Sequence, residues 1–194
     1  MIRIANTLDK KTILQIYKLH KICLPNDLLP NLNYMHYKAI LIKMTNLSNG
    51  FFLLSENGPV LTGVLFIQRR YNFITRTVLE HPFLTFFFFF KLSIFNPRKL
   101  KEVLALTQPN SVYTNLEKTP EIFMFFIASD IQGEGLGTNM LKKAYTILSA
   151  NNIRQLKTKT SSETALQFYL RKGFVKIADQ KRGDRVFAIL VLGL

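Results

Sequence analysis

The segment Gln132-Gly133-Glu134-Gly135-Leu136-Gly137-Thr138 constrains this chain more than any other. It sits between an apolar run, residues 122–128, and a stretch with Leu136, Met140, Leu141, Ala144, Ile147 and Leu148 on one helical face. A strand, a tight glycine turn and an amphipathic helix in that order imply a mixed α/β chain. Glycines let the backbone turn sharply and approach a ligand with no Cβ in the way. The first N–H groups of the helix have no internal acceptor, and the positive end of the helix dipole lies behind them. Such a turn is suited to a pyrophosphate. A dinucleotide fingerprint would need glycine at position 138, which is Thr138, and the Gly-Lys-Ser/Thr of a P-loop is absent. A glycine-rich turn without a ligand is the plain alternative.

The rest of the chain supports one domain, residues 1–194. A short strand is predicted at 2–5 and a helix over 8–23, stopped by Leu24-Pro25-Asn26 because proline cannot continue it. A second helix is predicted over 34–44. Residues 51–55 and 60–67 flank Asn57-Gly58 and read as a hairpin. Beyond the glycine segment come a strand at 155–160, a helix at 164–172 and strands at 174–179 and 185–192, with Gly183-Asp184 as the last turn. Residues 70–118 are too long for a plain loop and are expected to form a helical insert. They hold the run Phe86 to Phe90 and a basic helical candidate at 97–106.

Nearly half of the residues are hydrophobic, so a core can be buried and global disorder is excluded. Cys23 is the single cysteine, which rules out an internal disulfide and a multi-cysteine zinc site; no metal is expected. Lys and Arg number 26 against 12 acids, a formal charge of +14 that favours a polyanionic partner. No zinc-finger spacing or basic-region heptad accompanies the charge, so nucleic acid is not the expected partner. The amino terminus carries no signal-peptide pattern, and the apolar stretch 82–95 is short of the roughly 20 residues of a membrane span. A cytoplasmic protein is expected, with peripheral membrane contact left open.

Gln-x-x-Gly-x-Gly after a strand resembles the coenzyme-A-binding motif of the GCN5-related N-acetyltransferase (GNAT) superfamily. About thirty residues on, Ala165-Leu166-Gln167-Phe168-Tyr169-Leu170-Arg171-Lys172-Gly173-Phe174 resembles the Ala-x-x-x-Tyr-x-x-x-Gly-Phe signature of the same family. The resemblance is close over 121–180 and covers the amino-terminal half only in layout. It implies a central mixed, mostly antiparallel sheet flanked by helices, with the phenylalanine-rich insert between strands 3 and 4. It also implies acetyl transfer from acetyl-CoA to a primary amine.

By the same resemblance, Gln132, Gly133, Gly135, Leu136, Gly137 and Thr138 lie on the pyrophosphate loop. Backbone groups around Phe126, Ile127 and Ala128 would pair with the pantetheine arm and polarise the acetyl carbonyl. Tyr169 falls on the general acid toward the departing thiolate, a phenol protonated at neutral pH. The base found in some relatives on the strand after the loop helix is replaced by Lys157. Glu121 matches the glutamate that other relatives place at the start of the strand before the loop. Ser162 stands where many members have asparagine against the cofactor, and serine also suits helix capping.

The family does not choose the acceptor. The layout, including the Leu24-Pro25-Asn26-Asp27 bend, also resembles acetyltransferases of surface-polysaccharide synthesis, which implies an amino sugar, free or nucleotide-linked. Another small-molecule or protein amine is the alternative, as is a CoA-binding module with little turnover attached to a membrane or partner. The five successive phenylalanines cannot all face one side of a helix or strand, which raises a homodimer or a membrane contact through the insert.

Overall fold

A computed structural model describes residues 1–27, 29–31, 34–45, 50–68, 116, 118–182 and 185–194. The predicted insert, its phenylalanine run and basic helix, and the Gly183-Asp184 turn lie outside the described residues, save for Leu116 and Lys118 at the insert's end.

Seven strands form one sheet in the order β1-β2-β3-β4-β5-β7-β6. They are β1 (Ile2–Ala5), β2 (Gly50–Asn57), β3 (Val60–Gln68), β4 (Glu121–Ile127), β5 (Gln155–Thr160), β6 (Val175–Arg182) and β7 (Arg185–Gly193). Every neighbouring pair is antiparallel except β4 and β5, which are parallel and joined by a helical crossover. Helices α1 (Lys10–Cys23) and α2 (Tyr34–Met44) cover one face, while α3 (Leu136–Ala150) and α4 (Glu163–Arg171) cover the other.

The two faces give two cores. Ile13, Ile16 and Leu19 of α1 and Tyr37, Leu41 and Met44 of α2 pack on Phe52, Val64, Phe66, Met124 and Phe126. Met140, Leu141, Ala144 and Leu148 of α3 pack on Phe51, Leu53, Leu65, Ile67, Ile122 and Leu156. With both faces covered, β2 and β3 are apolar without alternation, and Phe52 and Phe66 meet at 4.5 Å between ring centroids. Each such side chain contributes about 1.5–3 kcal/mol on burial.

Local chemistry sets the ends. Asp9 caps α1 by accepting the Thr12 N–H at 2.6 Å, and this bond holds its carboxyl below the usual range. Leu24 closes the helix with its N–H on the His20 carbonyl, immediately before Pro25. Gly58 turns the β2–β3 hairpin at φ 58°. Among the described residues the predicted elements are present with ends shifted by at most three residues: α1 starts at Lys10, and β6 runs on to Arg182.

Candidate active site

The sheet is open at its centre. β4 and β5 are in register only at Glu121 with Lys157 and Ile122 with Thr158, after which the strands part. β4 also carries an irregularity, since Phe66 faces Met124 while Ile67 faces Ile122, leaving Phe123 as the extra residue. The result is a fork whose root holds Glu121 and Ile122 and whose open end holds Phe126, Ile127 and Ala128. Beyond Ile122, no β5 residue pairs with this edge of β4.

The glycine loop lies at the open end. After Ile127 the chain makes a 3-10 turn (Ser129–Ile131), and Gln132 folds back to donate its side-chain N–H to the Ile127 carbonyl at 2.9 Å. Gly133 and Gly135 have φ of 92° and 82°, and a Cβ on either would meet nothing within 4 Å. The backbone thus stands clear, with the room a diphosphate needs. Gly135 is the cap of α3 and brings no side chain to the task. The N–H groups of Leu136, Gly137 and Thr138 are left pointing outward at the positive end of a 15-residue helix. Gly137 differs from its neighbours. A Cβ there would come 3.1 Å from Ile127 Cδ1 and 3.4 Å from the Phe168 ring, so this glycine lets α3 lie close on β4.

Tyr169 occupies the root of the fork on the α3–α4 face. It is 5% exposed and forms a side-chain hydrogen bond with Thr158, and its ring lies 6.5 Å from that of Phe125 and 5.1 Å from that of Phe174. Burial, partly offset by the Thr158 hydrogen bond, pushes its phenol above the ordinary value of about 10. It therefore carries a proton it can donate. Glu121 is buried, not a solvated strand end: it is 3% exposed, with Lys159 Nζ 3.5 Å away. An opposite charge offsets the cost of burying a carboxylate. Lys157 is 1% exposed and donates to the Leu116 carbonyl at 2.7 Å.

Ile122 packs in the α3–α4 core, so strand alternation turns Glu121 toward the opposite face from Tyr169. A candidate acid and a candidate base thus approach the fork from its two sides. Glu121 stands five residues before Phe126, about 16 Å along an extended strand, so the two do not meet directly. Ser162 caps α4, accepting the Ala165 N–H at 3.4 Å, and its place is at the edge of a cleft.

That cleft, about 530 Å³, is lined by the bend Cys23 to Asp27 after α1, by Ser161 and Ser162, and by Arg185 and Val186 at the start of β7. Arg185 ties the two walls together by donating to the Asn26 carbonyl at 3.1 Å. Cys23 donates from Sγ to the Ile127 carbonyl at 3.3 Å, so the cleft abuts the open end of β4. Arg185 and the buried His20 behind the bend were not singled out by sequence, and Asp27 entered only as part of the Leu24-Pro25-Asn26-Asp27 bend. Only Pro25, which forces the bend, signalled that this segment had a place to be.

A sheet opened between parallel central strands, with a glycine loop at the open end and a buried phenol at the root, is the architecture of an acyltransferase. Residues 105–189 match the family model of an acetyltransferase (GNAT) domain. The fold is similar to a polyamine N-acetyltransferase of Drosophila melanogaster at 12% identity over all of both chains, TM-score 0.66. It is similar to a GNAT-family acetyltransferase from Streptococcus pneumoniae at 14% identity over all of both chains, TM-score 0.60. An IAA acetyltransferase from Bacillus cereus gives 15% over all of both chains, TM-score 0.53. No curated protein matches the sequence. Over residues 105–189 the chain thus matches an acetyltransferase (GNAT) domain, and its fold is similar to that of GNAT N-acetyltransferases. Among the described residues no helix is long and apolar enough to cross a membrane.

Proposed function

We propose that this protein transfers the acetyl group of acetyl-CoA to the primary amine of an amino sugar, free or nucleotide-linked. The observation that carries the transfer reading is the fork itself, with outward N–H groups of α3 at its open end and Tyr169 at its root. The loop residues fit a coenzyme A diphosphate, because Gly133 and Gly135 leave open space where a side chain would stand. Acetyl-CoA supplies an activated acyl group as a thioester. Strand groups from Phe126 to Ala128 polarise the acetyl carbonyl, and Tyr169 protonates the departing sulfur. Glu121 receives the amine proton through a chain of waters, since the strand distance of about 16 Å to Phe126 exceeds both direct contact and a single bridging water.

Two features support the acceptor. The formal charge of +14 attracts anions such as a nucleotide, and the cleft carries both Arg185 and Asp27, able to serve a phosphate and the polar groups of a sugar. The test is a mass-spectrometric screen of acceptors with acetyl-CoA, covering amino sugars, their nucleotide conjugates, polyamines, amino acids and peptide amino termini. A mass increase of one acetyl group on amino sugars above all other classes is the expected result. Transfer to another class alone rejects the amino-sugar acceptor, and no transfer to any amine leaves a CoA-binding module.

A further inference from the structure

The acceptor wall of the fork contains a line of three side chains running from the core to the cleft. Tyr37 on α2 is 1% exposed, and its hydroxyl is 2.8 Å from Nδ1 of His20 on α1. His20 is 2% exposed, and its ring stacks on Phe126 at 4.5 Å with 20° between the planes. Its Nε2 lies 3.7 Å from Oδ2 of Asp27, a residue half exposed to the cleft. The buried Tyr37 hydroxyl keeps its proton and can donate it to Nδ1, the arrangement that leaves the ring proton on Nε2. A fully protonated ring also presents N–H at Nε2. In both of these states an N–H faces the Asp27 carboxylate at 3.7 Å, an electrostatic contact longer than a hydrogen bond.

The position of this carboxylate is informative. The Asn31 side chain donates to the Asp27 carbonyl at 2.6 Å, so the backbone is also anchored. Arg185, the cation of the cleft lining, has its guanidinium on the Asn26 carbonyl. A chain of charge +14 repels cations at long range, and a local carboxylate is what can hold an ammonium group beside the fork.

We propose that Asp27 is the specificity-determining residue for the acceptor. Its carboxylate receives the ammonium form of the incoming amine and seats it against the Phe126 end of β4. His20 and Tyr37 are positioning residues that hold the carboxylate in place. The inference rests on the reading of the cleft as an amine site, and deepens it by assigning the group that selects the amine.

The test has two arms on the full chain. In the first, thiol release from acetyl-CoA is measured with glucosamine, ethanolamine and spermidine. Asp27→Asn is expected to raise the amine KM on the order of tenfold while kcat and the acetyl-CoA KM stay put. Asp27→Glu recovers part of the loss, and His20→Gln shifts KM the same way by a smaller factor. An amine KM unchanged in Asp27→Asn overturns the inference, as does an acetyl-CoA KM that moves with it. A folded His20→Gln with wild-type KM overturns the positioning role.

The second arm needs no turnover. Cys23 is the single cysteine and lines the same cleft, so its alkylation by iodoacetamide reports occupancy. At least one of the three amines is expected to slow alkylation of the CoA-bound protein, glucose and ethylene glycol are not, and Asp27→Asn abolishes the protection. Protection by none of the amines, or equal protection by glucose, overturns the inference. Thiol release that ignores Asp27 rejects this inference and leaves the transferase reading intact. Asp27-dependent protection without any thiol release rejects amine transfer and leaves the ammonium site standing.

Discussion

Tyr169 and Glu121 make opposite demands on their surroundings, and their environments differ accordingly. A phenol packed between the rings of Phe125, Phe168 and Phe174 has little water to stabilise its anion. Tyr169→Phe removes the proton and keeps the ring, so turnover should fall by about 10² or more with coenzyme A affinity unchanged by calorimetry. A loss confined to affinity would mean that the hydroxyl binds rather than donates. Glu121 instead sits beside an ammonium group, that of Lys159 at 3.5 Å. Glu121→Gln removes the proton acceptor and keeps the side-chain shape, so turnover should fall by about 10² with coenzyme A affinity unchanged. Wild-type turnover in Glu121→Gln would assign proton removal to another group.

The elements around the fork separate two uses of glycine that look alike in sequence. Gly135 caps α3 at φ 82° with open space ahead, so Gly135→Val strains one residue and blocks the loop. Coenzyme A binding should vanish by calorimetry while the chain still folds, with about 1–3 kcal/mol lost to the strained φ. Gly137 is a packing contact, and Gly137→Val drives a side chain into Ile127 and Phe168. Its expected signature is a loss of about 1–3 kcal/mol in urea unfolding. Coenzyme A affinity retained in Gly135→Val would contradict the distinction. The strand and the glycine spacing were legible because each is a local pattern with a local cause, periodicity and positive φ, whereas Tyr169 was singled out by its resemblance to a family signature. The Asp27–His20–Tyr37 line was not, because its members come from two helices and the bend between them, and meet only once both helices dock on β4. The same holds for Glu121, where the sequence gives a carboxylate beside Lys118 and only sheet pairing brings in Lys159 from β5.

Across the whole molecule, two buried phenols link stability to alkaline pH. Burial raises both Tyr37 and Tyr169 above the ordinary value near 10. Above pH 10 the unfolded chain has released these protons while the folded chain retains them, so stability falls as pH rises. The slope reaches about 1.4 kcal/mol per pH unit for each phenol. In urea titrations, the stability of the wild type relative to Tyr37→Phe should therefore shrink between roughly pH 9 and 11. A difference independent of pH would show that Tyr37 ionises as easily folded as unfolded. The short pairing of β4 with β5 has its own consequence. Because the two strands hold together over only two residue pairs, the reaction centre is a window through the sheet rather than a pit in one face. Tyr169 looks in from the α3–α4 side and the His20–Asp27 wall from the α1–α2 side. On the proposed reading the acyl carrier and the amine enter by opposite sills, so neither need leave before the other is seated.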